Sequence, residues 1–301
     1  GIGVLTIGVG TAWLVVMCRF PGQRIFEWAL LLPLAVPTYV IAYAYTDFLQ
    51  FSGPLQSFLR DWFGWGAGDY WFPPVRSLGG AIALLSLVLY PYVYLLTRAA
   101  FLEQSVCVLE VGRTLGRGPW RLFGTIAVPL ARPAIAGGAA LALMETLNEF
   151  GAVQFFAVDT FTTGIYRTWF GLGERTAAAQ LAGILLLFVL LLLLLERLSR
   201  GRSQFFHTSS RYRELPQYEL TGVRRWLAIA ACSLPVVLGF LVPAALLLEM
   251  TLTNGDQRFG WAFLPYVFNS ISLAAVAALI AVGLAVVLSY GVRLAPSPLT
   301  Q

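Results

Sequence analysis

Long runs of apolar residues, separated by short polar stretches that contain arginine, dominate this chain. An α-helix needs about 20 apolar residues, each rising about 1.5 Å, to cross a lipid bilayer. Pro33 and Pro37 lie inside one apolar run and Pro91 inside the next, where they predict kinks that membrane helices tolerate. The pattern predicts seven membrane spans, at Ile2–Cys18, Phe26–Leu49, Leu78–Phe101, Pro133–Phe156, Ala177–Glu196, Trp226–Met250 and Tyr266–Tyr290.

The composition supports a bilayer as the natural solvent of this chain. Hydrophobic residues make up 58% of it and charged residues only 12%, whereas a soluble domain carries about 25% charged residues. A chain with so few polar side chains cannot cover its surface in water. We therefore expect an all-α fold, a polytopic bundle of transmembrane helices.

The basic residues report topology rather than binding to nucleic acid. All 20 of them are arginines, and they concentrate on alternate connections between the spans. Cytoplasmic connections of membrane proteins are enriched in Lys and Arg. We therefore place in the cytoplasm the connections that carry Arg19, Arg24, Arg98, Arg113, Arg117, Arg121, Arg132, Arg197, Arg200, Arg202, Arg211, Arg213, Arg224, Arg225 and Arg293.

The outer connection Gln50–Ser77 is rich in aromatic residues, glycine and proline. Trp62, Trp65 and Trp71 suit the belt of aromatic side chains found where a membrane meets water. Anchoring at that interface is the first interpretation of these tryptophans, and contact with a ligand is the alternative.

The cysteine and histidine content gives no metal site. Cys18, Cys107 and Cys232 are far apart and match no metal-binding or redox spacing, and His207 is the single histidine. We expect free thiols, no metal site and no cofactor bound by this chain.

A polar, basic linker divides the chain into two parts. The run that ends at Arg19 weakly resembles the run that ends at Arg293, which indicates a second start of the same kind of module. We expect residues 1–200 to form a first module that is incomplete at its N-terminus. Residues 201–222 are then a cytoplasmic linker, and residues 223–301 begin a truncated second module.

The connection between the third and fourth spans, residues 103–132, contains the most informative motif. Its first half has the apolar spacing of a short amphipathic helix. Gly116 and Gly118 allow a sharp turn, and Pro119 suits the first turn of a second short helix. Trp120, Phe123 and Ile126 follow at intervals of three residues, on one face of that second helix.

This connection resembles the coupling loop of ABC importer permeases, which is written E-A-A, three residues, G, nine residues, I-x-L-P. Both spacings are kept here, with conservative changes at the two alanines and the leucine. The resemblance implies the type I ABC importer permease fold and a partner ATPase subunit that moves the loop. The residues to which it assigns this contact are Glu110, Val111, Gly112, Arg113, Gly116, Ile126 and Pro129.

The chain contains no G-x-x-x-x-G-K-[ST] loop, the motif that cradles nucleotide phosphates. We therefore expect ATP to be bound and hydrolysed on a separate ATPase subunit. This chain is expected to be a transport component and not an enzyme.

Three polar residues share one face of the predicted fourth span: Glu145, Asn148 and Glu149. A charged group at the centre of a membrane helix costs about 2.5–3.5 kcal/mol on insertion scales, so such groups usually face a cavity or a partner. These residues therefore line a pathway that attracts cations, form a structural, hydrogen-bonded cluster between helices, or lie near the water interface. The residues alone leave these interpretations open.

The segment from Leu147 to Trp169 resembles the ferric-iron permeases of bacterial importers, in which two modules are fused. The resemblance implies a multi-pass protein of the bacterial inner membrane that takes ferric iron from a periplasmic binding protein and works with a second permease module. Related permeases carry thiamine, polyamines or oxyanions, which remain alternatives. The competing class is a proton-coupled secondary transporter that uses Glu145 and Glu149 as a relay.

Overall fold

The computed structural model describes residues 1–66, 68–103, 118–200, 217–253 and 261–294. Almost all of the regular structure in these residues is helical, which confirms the all-α prediction. Gly1–Leu247 form one compact unit and Leu248–Gln301 form another.

Within the described residues, five helices are long and apolar enough to cross a membrane by themselves. They correspond to the predicted third to seventh spans. The first predicted span is a shorter apolar helix, and the second is a bent pair of helical arms. The five long helices are Leu78–Leu102, Trp120–Asn148, Arg175–Leu198, Val223–Thr253 and Leu264–Gly291.

The first predicted span forms helix α1 (Ile2–Met17), whose last turn is buried. It is followed by the two-residue strand β1 (Cys18–Arg19). Gly22 then adopts a positive φ of 83°, which a side chain would disfavour, and helix α2 (Gln23–Ala29) begins directly after it.

The second predicted span is interrupted at its two prolines. Its parts are α2, a 3₁₀ turn (Leu32–Ala35) and α3 (Thr38–Leu49), which leads into α4 (Pro54–Phe63). Val36 is extended, because a following proline disfavours the helical conformation. The arm before this break and the arm formed by α3 and α4 meet at 87°. The kinked helix predicted from sequence is therefore two separate arms.

Helix α5 (Leu78–Leu102) is the third predicted span. The Ser77 hydroxyl caps its first turn by accepting a hydrogen bond from the backbone N–H of Gly80 at 3.1 Å. Near its other end, Arg98 forms an ion pair with Glu27 of α2 at 3.0 Å. The Tyr94 hydroxyl donates to the backbone oxygen of Glu27 at 3.1 Å. The arginine-bearing end of α5 is thus fixed to α2.

The fourth predicted span begins earlier and ends earlier than predicted. Its parts are α6 (Pro119–Leu122), a π-helical turn (Phe123–Ala127) and α7 (Val128–Asn148), and together they make one long helix. The chain leaves the helix at Glu149, whose ψ of 125° is extended. The segment up to Phe156, which was predicted as the end of this span, instead contains the separate helix α8 (Gly151–Phe155).

Helix α9 (Phe161–Tyr166) and a π-helical turn (Arg167–Gly171) lead from α8 to the fifth span. A capping box begins α9, because the hydroxyl of Thr160 accepts from the N–H of Thr163 and the hydroxyl of Thr163 accepts from the N–H of Thr160. The fifth span is α10 (Arg175–Arg200), which packs against α7 and α9.

The end of the predicted linker pairs with the residues that follow the first span. Strand β2 (Tyr218–Glu219) pairs in parallel with β1, with Cys18 opposite Tyr218. The sixth span then consists of α11 (Val223–Val236), a π-helical turn (Val237–Leu241) and α12 (Val242–Thr253). An added Cβ at Gly239 would lie 2.8 Å from the backbone oxygen of Leu87, so this span packs closely on α5.

The sixth span up to Leu247 therefore belongs to the same compact unit as the first five. The sequence places it in a second module, together with the seventh span. That functional division, at residues 201–222, stays a prediction. In the second unit, a 3₁₀ turn (Trp261–Phe263) leads into the long apolar helix α13 (Leu264–Leu294).

The centre of the first unit is a close contact of α1, α5 and α7 at Val93. A Cβ on Gly8 of α1 would lie 2.7 Å from the Val93 Cβ. A Cβ on Gly138 of α7 would lie 2.7 Å from the Val93 Cα. Small residues allow membrane helices to approach this closely.

Candidate functional site

The predicted coupling motif lies partly outside the described residues. Ile126 and Pro129 lie within them, in the π-helical turn and in the first turn of α7. Pro129 thus lies just after the π-helical turn, inside the continuous helix Trp120–Asn148. The residues outside are Glu110, Val111, Gly112, Arg113 and Gly116.

The second half of the motif is held on the bundle by Phe123. The centroid of its ring lies 4.9 Å from that of Trp13 in α1, and Trp13 meets Phe101 of α5 edge-on at 5.9 Å. Trp13, Phe101 and the neighbouring Leu122 are buried. A movement of this segment would therefore be transmitted directly to α1 and α5.

The predicted apolar face of this segment is only partly correct. Phe123 and Ile126 pack against the core, but Trp120 is 68% exposed and meets Phe123 edge-on at 6.3 Å. The π-helical turn inserts a residue into the helical repeat and so changes which side chains share a face. Trp120 therefore presents an aromatic ring away from the bundle.

The structure places the three polar residues that were predicted to share a helix face at the end of α7. Glu145 and Asn148 lie in the last turns of α7 and are exposed. Glu149 is the C-cap, and the chain turns away from the helix after it, with a ψ of 125°. Glu149 is therefore not inside the span as predicted, and the role of the three residues in a pathway stays a prediction.

Glu149 has a structural task at the turn between α7 and α8. Its carboxylate Oε1 accepts a hydrogen bond from the backbone N–H of Ala152 at 2.8 Å. Its backbone oxygen accepts from the hydroxyl of Thr162 at 2.8 Å. The carboxylate thus satisfies a free N–H at the start of α8, and the backbone fixes α9 beside it.

Glu145 has different surroundings. It lies close enough to Tyr92 of α5 to interact with it electrostatically. On α3, Tyr39 and Tyr43 are also exposed. The ring of Tyr43 lies 5.8 Å from that of Phe155, and a Cβ on Gly151 would lie 2.6 Å from the Tyr39 Cβ, so α3 and α8 are in close contact.

These tyrosines and Trp13 were not identified from the sequence. Tyr39 and Tyr43 are one helical turn apart, which is a usable signal, but their apolar surroundings conceal it. Trp13 looks like any aromatic residue of a membrane span. Only the packing of α1 against α5 and the π-helical turn shows its position.

The two carboxylates give a prediction about stability. Glu149→Ala is expected to destabilise the purified protein by about 1 kcal/mol, because the N–H of Ala152 loses its partner. Glu149→Gln should restore most of that loss, since an amide oxygen can also accept this bond. Glu145→Ala is the matched control and should leave the unfolding temperature unchanged. Thermal unfolding in detergent tests this, and equal unfolding temperatures for both alanine variants would contradict the role of Glu149.

Sequence comparison places this architecture among known permeases. A family model described as "Binding-protein-dependent transport system inner membrane component" matches residues 4–202. The molybdenum transport system permease protein ModB of Escherichia coli K12 is 32% identical over 209 residues, which are 66% of this chain and 88% of ModB. The Fe(3+)-transport system permease protein FbpB 2 of Haemophilus influenzae is 28% identical over 69% of this chain, which spans 36% of that relative.

The fold is also found in a solved structure. A bacterial ABC transporter involved in the import of the acidic polysaccharide alginate matches with a TM-score of 0.53 and 16% identity. The match covers 66% of this chain and 73% of that one. The matched residues extend from α1 to the end of α10 and include Trp13 and Phe123. The chain belongs to the inner membrane components of binding-protein-dependent transport systems and is a permease subunit of an ABC importer.

Proposed function

We propose that this permease forms part of the pathway by which an ATP-driven importer moves ferric iron across the inner membrane. A periplasmic binding protein delivers the ion, a second permease module completes the pathway, and separate ATPase subunits hydrolyse ATP. The observation that carries the choice of cargo is Glu145, an exposed carboxylate on a membrane-spanning helix.

The electrostatic argument favours a cation. An unpaired carboxylate in a membrane helix is expensive unless it faces water, a cavity or a partner. In a cavity with a dielectric constant below that of water it attracts cations more strongly than it does in bulk solvent. Ferric iron is a hard cation that prefers oxygen ligands, and both carboxylates and tyrosine hydroxyls provide them.

The pathway is proposed to attract the ion rather than to store it. Among the described residues, no three His, Cys, Asp or Glu side chains lie close enough together to hold a metal ion. A pathway without a firm site suits transport, because an ion that is bound tightly in the membrane leaves slowly. Selection between cargoes then belongs mainly to the binding protein.

Molybdate is the second candidate cargo. The observation in its favour is the similarity to ModB, which is higher in identity than that to FbpB 2 and extends over nearly the whole of ModB. Glu145 argues against molybdate as the cargo, since a carboxylate on the pathway repels an oxyanion. The two cargoes therefore predict opposite effects when the charge at this position is removed.

Uptake of radioactive ferric iron and molybdate distinguishes the two cargoes. The assays use cells that lack other importers for either ion and normalise uptake to permease abundance. Glu145→Gln is expected to lower ferric uptake about tenfold, equivalent to about 1.4 kcal/mol of lost attraction. Asp61→Asn, which removes an exposed carboxylate of the outer connection, is the control and should leave uptake unchanged.

Each other outcome removes part of the proposal. One outcome is that the wild type takes up molybdate but not ferric iron, and that Glu145→Gln leaves molybdate uptake unchanged or increases it. The chain would then be an oxyanion permease. Wild-type ferric uptake by Glu145→Gln would remove Glu145 from the pathway. Loss of uptake together with loss of protein would show that Glu145 is structural.

A further inference from the structure

Helix α4 divides cleanly into an apolar half and a polar half. At 100° per residue, Leu55, Phe58, Leu59, Trp62 and Phe63 occupy one half of the helix circumference. The other half carries Gln56, Ser57, Arg60 and Asp61. A helix of this kind in a water-soluble protein buries its apolar half and exposes its polar half.

In this protein α4 departs from that pattern at three positions. Gln56 is the most buried side chain of the helix, at 5% exposure, whereas Phe58 is 58% exposed and Trp62 is 72% exposed. The rings of Phe58 and Trp62 lie 5.7 Å apart and form one aromatic surface. Exposed aromatic surface beside a buried amide indicates that the medium on the aromatic side is apolar.

Two residues of the polar half, Gln56 and Arg60, bind the chain on both sides of α4. The Gln56 amide donates to the backbone oxygen of Leu49 at 2.7 Å and accepts from the hydroxyl of Tyr70 at 2.7 Å. Arg60 donates to the Tyr70 hydroxyl at 3.0 Å and to the backbone oxygen of Phe51 at 2.8 Å. This network fixes the rotation of α4 about its axis, so the aromatic half points in one direction.

The course of the chain places α4 at the membrane surface. The arm before the break follows α5, since Glu27 contacts Tyr94 and Arg98 while Pro33 lies level with Gly239 and Leu87. The second arm, α3 with α4, turns from it by 87° and so leaves the direction of α5 at this break.

Tyr70, which binds Gln56 and Arg60 of α4, lies a few residues before Ser77, which caps α5 at the end opposite to Arg98. The arginine pattern assigns that end to the outer side of the membrane. α4 therefore lies at the level where lipid headgroups meet water on the outer face.

We propose that α4 is an interfacial anchor whose aromatic half, Phe58 and Trp62, inserts between the headgroups of outer-leaflet phospholipids. Tryptophan and phenylalanine are favoured at this depth, and amphipathic helices in the interface bury their apolar face about 5–10 Å into the boundary between headgroups and acyl chains. The anchor rests on a rigid network and is independent of the cargo. Trp65, which the sequence assigns to the same belt, instead stacks between Phe63 and Tyr70 inside the connection.

Spin labels on the two halves of α4 test this assignment. Trp62→Cys and Asp61→Cys are each labelled with a nitroxide in a Cys107→Ser background. The Cys107→Ser protein without either change is the control for labelling at other sites. The permease is assembled with its ATPase and reconstituted into phospholipid nanodiscs. The label at position 62 should collide with oxygen more often than with a water-soluble nickel complex, and the label at position 61 should show the reverse.

Phe58→Cys provides a second probe of the aromatic half should Trp62→Cys fail to assemble. Equal access of the nickel complex to positions 61 and 62, or to positions 61 and 58, would overturn the proposal. So would labels at positions 58 and 62 that are exposed to water until the periplasmic binding protein is added, because the aromatic half would then be a protein-docking surface.

Discussion

Gly138→Ala is expected to break the packing of α7 on α5 and to lower the amount of folded permease in the membrane severalfold. A Cβ at this position would lie 2.7 Å from the Cα of Val93 and 3.0 Å from the backbone oxygen of Tyr92. Backbone atoms cannot rotate away as a side chain can, so the helices must separate. Overpacking in a core costs about 1–3 kcal/mol, and this contact belongs at the upper end of that range.

Gly183→Ala is the matched control for this prediction. Gly183 also lies inside a membrane-spanning helix, α10, but an added Cβ there would contact nothing within 4 Å. Alanine favours a helix over glycine, so this variant should be as stable as the wild type or slightly more stable. Abundance in membranes and unfolding temperature in detergent measure both variants. Equal values for Gly138→Ala and Gly183→Ala would show that α5 and α7 do not pack as described.

The sequence predicted the number and position of most spans because bilayer thickness sets a minimum length for an apolar helix. Leu78–Leu102 and Arg175–Leu198 agree with their predicted ranges within a few residues. This requirement comes from the solvent and needs no knowledge of tertiary contacts. The right-angled break near Pro37 could not be read in the same way, since proline in a membrane helix is compatible with both a kink and a full break.

The end of α7 was misplaced for a related reason. Hydrophobicity continues from α7 through Phe150 to Phe156, so the apolar pattern shows no boundary at Asn148. What ends the helix is tertiary: the Gly151 backbone packs against Tyr39, and Thr162 binds the backbone oxygen of Glu149. The face shared by Glu145 and Glu149 was inferred from a helix that continues beyond both residues, whereas the structure puts Glu149 at the C-cap.

The predicted coupling motif rests on a spacing that is local. Glycine, isoleucine and proline at fixed intervals describe a turn and the start of a helix, and these need only neighbouring residues. The anchor of the motif is not local, since Trp13 is distant in sequence from Phe123. Membership in a permease family also removes the alternative of a proton-coupled secondary transporter, which the acidic residues alone could not exclude.

The second large effect concerns the predicted coupling segment. Phe123 is packed on Trp13, and Trp13 on Phe101, so a displacement of this segment is expected to move α1 and α5. Glu110 and Gly116 lie outside the described residues, and the motif predicts that they meet the ATPase. Glu110→Arg reverses the charge of that contact, and Gly116→Pro removes the conformational freedom of the turn.

Either change, Glu110→Arg or Gly116→Pro, is expected to reduce substrate-stimulated ATP hydrolysis of the assembled importer to its unstimulated level, with membrane insertion intact. Insertion should persist because the spans themselves are unchanged. Gly118→Ala is the control in the same segment, since Gly118 has no positive φ and an added Cβ there meets nothing within 4 Å. It should keep normal stimulation.

ATP hydrolysis is measured in proteoliposomes with and without the loaded binding protein, alongside the amount of ATPase that copurifies. Wild-type stimulation in both Glu110→Arg and Gly116→Pro would exclude residues 103–132 as the coupling segment. Loss of copurifying ATPase would place the defect in docking, whereas retained ATPase without stimulation would place it in transmission through Phe123 and Trp13.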